Sequence, residues 1–139
     1  MDLTDSHCFL YASNQDRSLE FYRDVLGFQV TNDVQFEQMR WLSLASPAQP
    51  GLELVLETPD ANPNISASDV AAMQELLGKG YLNAVIFRTA DCHAQFEHVS
   101  ASGAEVIQEP IDQPYGVRDC AFRDPAGNQV RFSQLLAQE

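Results

Sequence analysis

The sequence predicts an α+β fold built from two βαβββ modules in one chain. Three observations predict it. The order of strand and helix patterns in the first half recurs in the second. The strand segments alternate, giving each an aliphatic face and a mixed one. Each half also holds one amphipathic segment that opens near a capping Asp and closes on a glycine, Gly27 and Gly103.

Taken in order, "HCFLYAS" is an apolar strand. In "NQDRSLEFYRDVLG", Asp16 caps a helix whose apolar face is Leu19, Tyr22, Val25 and Leu26. "FQVTNDV", "MRWLSLAS" and "GLELVLET" complete the first module as strands. The stretch from Pro59 begins rich in Pro, Asn and Ser, as a loop is. From Ser68 the spacing Val70, Met73, Leu77 is helical, with Gly78 as the stop. This connection is either a solvated linker or a rim over a binding site. "LNAVIFRT" restarts the pattern, a helix runs from a capping Asp91 to Gly103, and "AEVIQEP", "GVRDCAFR" and "NQVRFSQL" follow as strands. Within "DPAGN", Pro125 fixes φ, Gly127 permits positive φ, and Asp124 or Asn128 can bond the turn backbone. The expectation is one domain: module 1 over about 5–59, a connecting loop or lid over 60–80, and module 2 over about 81–136.

Composition excludes several functions. At 139 residues the chain suits one domain. A formal net charge of −12 repels phosphate backbones and argues against nucleic acid as a partner. No apolar run approaches the roughly 20 residues that span a bilayer, so no membrane role is expected. "MDLTDSHCF" has no basic region leading into an apolar stretch, as a signal peptide has. Cys8, Cys92 and Cys120 are odd in number and lack CxxC spacing, which fits reduced thiols and a cytoplasmic protein.

Alternation assigns the faces. Leu52, Leu54 and Leu56 oppose Glu53, Val55 and Glu57. Leu42 and Leu44 oppose Trp41 and Ser43. Val130 and Phe132 oppose Gln129, Arg131 and Ser133. The aliphatic face packs under the helices. The other carries His7, Phe9, Tyr11, Trp41, Glu53, Arg131 and Ser133, a mixture of aromatic and polar groups that suits a ligand pocket.

"DRSLEFYRDVLGF" (Asp16 to Phe28) and "YGVRDCAFRDPAGN" (Tyr115 to Asn128), supported by "GLELVLE" and "SASGAEV", resemble the vicinal oxygen chelate superfamily. That group includes glyoxalase I, extradiol dioxygenases and bleomycin-resistance proteins. The resemblance implies that the modules form a curved, barrel-like mixed sheet around a concave cavity, with helices on the outer face, and that the chain forms a homodimer. Metal enzymes of the group take four ligands from four strands. His7, fourteen residues before Phe21, fills the first position and Glu53 the second. The third falls on Ala84 and the fourth, seven residues after Asp124, on Arg131. A methyl group and a guanidinium donate no lone pair to a metal. The implied protein binds a small molecule without a tight metal or other cofactor, in the manner of resistance or sequestration proteins. The alternative is a lyase, isomerase or dioxygenase holding a divalent metal ion through His7 and Glu53, so catalysis stays open. His7 can equally be a satisfied sheet histidine and Glu53 half of an ion pair. His93 and His98 belong to the second helix, away from the cavity, and Arg118 is expected to anchor a turn. Arg131 is expected to replace the metal by bonding Glu53 directly.

Overall fold

Asn14 sets the first helix. It is extended (φ −131°, ψ 104°), and its side chain accepts the N–H of Arg17. Helix α1 (Gln15–Glu20) therefore starts one residue before Asp16, the expected cap. Asp16 instead lies in the first turn, where a carboxylate complements the helix dipole. The helix then widens into a π turn, Phe21–Val25, closed by Gly27 at φ +78°. These features come from a computed structural model that describes residues 1–137.

Strands β1 (His7–Tyr11), β2 (Gln29–Phe36), β3 (Met39–Ala45) and β4 (Glu53–Glu57) form one sheet in the order β1-β4-β3-β2. After helix α2 (Ala67–Gly78), strand β5 (Ala84–Arg88), helix α3 (Cys92–Ala101) and strands β6 (Val106–Asp112), β7 (Val117–Arg123) and β8 (Gln129–Leu135) give a second sheet, β5-β8-β7-β6. In each sheet the first strand pairs parallel with the last and the remaining pairs are antiparallel. The repeat read from the sequence is thus a repeat of topology. Two curved sheets result, not closed into a barrel.

The aliphatic faces meet in one core. Leu10, Leu42, Leu44, Leu54 and Leu56 of the first sheet share it with Phe122, Val130 and Phe132 of the second, together with Tyr22 and Val99 from the helical segments. Each such side chain contributes roughly 1.5–3 kcal/mol by burial. Cys92 and Cys120 are buried in it, and all three cysteines are free thiols. Among the described residues no helix is long and apolar enough to cross a membrane.

The two sequence motifs prove to be halves of one structural joint. Asp124 Oδ1 accepts the backbone N–H groups of Ala126, Gly127 and Asn128, and Oδ2 accepts the Tyr22 hydroxyl at 2.8 Å and the Asn128 amide at 2.9 Å. Asn128 also donates to the Tyr11 carbonyl at 2.7 Å. Burial first, then the charge of Asp124, pushes the Tyr22 phenol well above its ordinary value, so it remains a donor. Gly127 is required twice over. Its φ is +111°, and a Cβ there would meet the Leu77 carbonyl at 2.3 Å. The end of α2 therefore docks on this turn.

Candidate functional site

On the open face of the first sheet, parallel pairing puts His7 opposite Glu53. His7 Nε2 lies 2.9 Å from Glu53 Oε2, and His7 Nδ1 lies 2.8 Å from the Ser6 hydroxyl. With Nε2 directed at Glu53, Nδ1 is the ring atom that meets the Ser6 hydroxyl. Glu53 Oε1 accepts from Thr31 at 2.5 Å, Ser43 at 3.2 Å and Asn32 at 3.3 Å. Thr31 and Asn32 are sequence neighbours, yet both reach the same oxygen. A register shift in β2 between Val30 and Asn32 bends the strand and turns both side chains to it. The Thr31 hydrogen bond, then Ser43, His7 and Asn32, hold the Glu53 carboxyl below its ordinary range, against the upward push of burial. The walls are aromatic. Trp41 meets the His7 and Phe9 rings edge-on, each with centroids 6.1 Å apart. The side chains of His7 and Glu53 remain 36% and 24% exposed. Hydrogen-bond donors, an anion and aromatic walls thus share one solvent-reachable face.

The second sheet is arranged differently. Arg131 does not bond Glu53 as expected. Its Nη1 lies 3.3 Å from Asp119 Oδ2 and donates to Gln108 Oε1 at 3.1 Å. The expectation failed because the partner was already present: Asp119, one strand away, shares Arg131's face. Asp119 is 2% exposed and also accepts the amides of Gln108 at 2.8 Å and Gln113 at 3.0 Å. Burial pushes its carboxyl up, but Gln113, Gln108 and Arg131 together outweigh that and hold it below its ordinary value.

Of the seven residues read as pocket-lining, His7, Phe9, Trp41 and Glu53 come together on the first sheet. Tyr11 follows them along β1, and its backbone is tied to Asn83 and Asn128. Arg131 and Ser133 lie on the second sheet, and Ser133 is buried. Val55, read onto the open face, is buried there at 2% exposure. His98 is outside the site and donates to the Val25 carbonyl at 2.7 Å. Arg118 bonds Asp112 at 2.6 Å, joining β7 to β6. Sequence reasoning missed Thr31, Asn32, Gln108 and Asp119 as the groups that satisfy the polar pairs. Only Asp119 left a trace, as an acid amid the apolar residues of β7. A cavity of about 180 Å³ lies beside Trp41, lined also by Val55 and Glu57. Larger ones, about 740 and 680 Å³, lie by the Asp124 turn and between Phe28 and Phe87.

The donor set does not fit a four-ligand metal centre. His7 and Glu53 offer two donors and already bond each other. Position 84 carries a methyl group, and position 131 a cation that serves Asp119. Among the described residues no group of three or more His, Cys, Asp or Glu side chains is placed to hold an ion.

Residues 6–132 match the model of the Glyoxalase/Bleomycin resistance protein/Dioxygenase superfamily. The chain is 31% identical over 126 residues to YurT of Bacillus subtilis (strain 168), covering 90% of this chain and 94% of YurT. Among solved structures it resembles UcmS2 (TM-score 0.87, 28% identity, 96% of this chain and 98% of that one). It also resembles TnmS3, an antibiotic binding protein from Streptomyces sp. CB03234 (TM-score 0.74, 24% identity, 96% and 97%). The chain belongs to the Glyoxalase/Bleomycin resistance protein/Dioxygenase superfamily.

Proposed function

We propose that this member of the superfamily binds a small organic molecule on the open face of its first sheet, without a tightly held metal, as resistance or sequestration proteins do. The observation that carries this reading is the solvent-reachable His7–Glu53 pair beside Phe9 and Trp41, with Tyr11 further along the same strand. Such a surface gives apolar contact with a few fixed polar groups, the usual make-up of a ligand site. TnmS3 supports it as a protein of the same fold that binds an antibiotic.

The working unit is a homodimer in the cytoplasm. Strand β2 is exposed along its whole length and carries Val30, Val34 and Phe36; β6 exposes Val106, Ile107 and Ile111. A second copy covers these apolar edges. The second sheet, with Arg131 and Ser133, completes a cavity in that assembly, and the 60–80 connection forms its rim, with Ala61 and Asn62 beside Trp41.

A second reading rests on one observation. His7 and Glu53 converge from paired strand positions, so a divalent ion could displace their hydrogen bond and support lyase, isomerase or dioxygenase chemistry. Elemental analysis of protein purified without chelator separates the two, followed by a thermal-shift screen of divalent ions and small organic molecules. Binding is expected from organic molecules with a metal-free protein. A stoichiometric ion lost in His7→Ala would favour the second reading.

A further inference from the structure

Glu57, one turn of the pleat beyond Val55, has a carboxylate that nothing in the site uses. It lies on the same face as Glu53 and pairs in register with Tyr11. Burial pushes its carboxyl above the ordinary range, and among the described residues no hydrogen bond or neighbouring charge offsets it. It lines the cavity of about 180 Å³ together with Trp41, Val55 and Met39, and Ala61 and Asn62 of the connection cover one side. Asn62 is itself braced, its side chain accepting the Asn64 N–H at 2.9 Å. Arg40 also borders the cavity, but its guanidinium is held by Asp16 at 2.6 Å and Asp33 at 2.9 Å. Asp16 and Asp33 lie outside the lining and match the charge of Arg40, which leaves Glu57 as the uncompensated charge of the wall.

We propose that this cavity is a subsite for an organic ammonium group, with the Trp41 indole as its aromatic wall and Glu57 as its counter-ion. This rests on the small-molecule reading above and names the chemical class of one part of that ligand. An indole attracts a cation through its quadrupole, and a partly desolvated carboxylate without a partner gains most from one. Its size admits a head group and leaves the ligand body to the Phe9–His7 surface.

Trp41 is the chain's single tryptophan, so its fluorescence reports this cavity and the adjoining His7–Phe9 surface, and the Glu57→Gln arm assigns a response to the cavity. The test titrates the full chain with choline and with its neutral isostere 3,3-dimethylbutan-1-ol. Choline is expected to bind at least about tenfold more tightly than the isostere, and Glu57→Gln to remove about that factor for choline only. Equal response to the two probes, no response to either, or an unchanged choline affinity in Glu57→Gln overturns the proposal. A ligand from the thermal-shift screen that is weakened by His7→Ala and Trp41→Ala but indifferent to Glu57→Gln leaves the small-molecule reading standing while sinking this one. A protein that binds none of them through Trp41 sinks both.

Discussion

The open faces of the two sheets have the same strand order and the same parallel pairing, yet they treat charge in opposite ways. On the first, Glu53 is held by hydroxyls, an amide and an imidazole, and stays reachable from water. On the second, Asp119 is sealed beneath Gln108, Gln113 and Arg131, and its side chain is only 2% exposed. In both, the outer strand departs from regular register where it delivers a polar side chain: β2 around Thr31 and β6 around Gln108. The difference teaches that a repeated module can neutralise a carboxylate with a guanidinium on one polar face and surround one with neutral donors on the other. A carboxylate with neutral donors retains capacity for a further partner, whereas one neutralised by a guanidinium does not.

The largest test of that contrast is Asp119→Ala. It strands Arg131 and two amides in a half-closed site, and is expected to cost about 3–5 kcal/mol in urea unfolding. A loss below about 1 kcal/mol would show that the second face is not the structural one. Acid unfolding sharpens the same point. Because Asp119 is held low in the folded state, its contribution is full above the unfolded value of about 3.9 and fades as pH falls below it through the folded value. Asp119→Asn is expected to flatten that acid limb. Glu53→Gln, at a more exposed group, is expected to change it less.

Function reverses the ranking. His7→Ala and Glu53→Gln are expected to leave the melting temperature close to that of the parent while weakening a screened ligand about tenfold. A large drop in stability with unchanged affinity would make the first face structural too. Smallest of all is Arg118→Ala, which breaks an exposed pair with Asp112 and is expected to move neither melting temperature nor affinity measurably.

Much of this was legible in the chain, and the limits have physical causes. Strand alternation placed His7, Phe9, Trp41 and Glu53 on one face because the pleat has a fixed period of two. It could not show Thr31 and Asn32 acting together, since consecutive residues share a target only across a bulge, and the bulge depends on how β2 pairs with β3. The FY and DPAGN motifs identified the fold, but their chemistry, Tyr22 on Asp124 and Asn128 on Tyr11, links residues about a hundred positions apart. Arg131 was matched to the wrong carboxylate for the same reason. Alternation gave its face, while the choice between Glu53 and Asp119 was made by the register of β7 against β8.

The central claim is that a ligand binds the first sheet without a metal. Isothermal titration of a screened ligand into EDTA-treated protein, into the same protein resupplied with divalent ions, and into Trp41→Ala tests it most directly. Affinity unchanged by EDTA and by added ions, and at least about tenfold weaker in Trp41→Ala, is the expected result. Binding abolished by EDTA and restored by a divalent ion would contradict it.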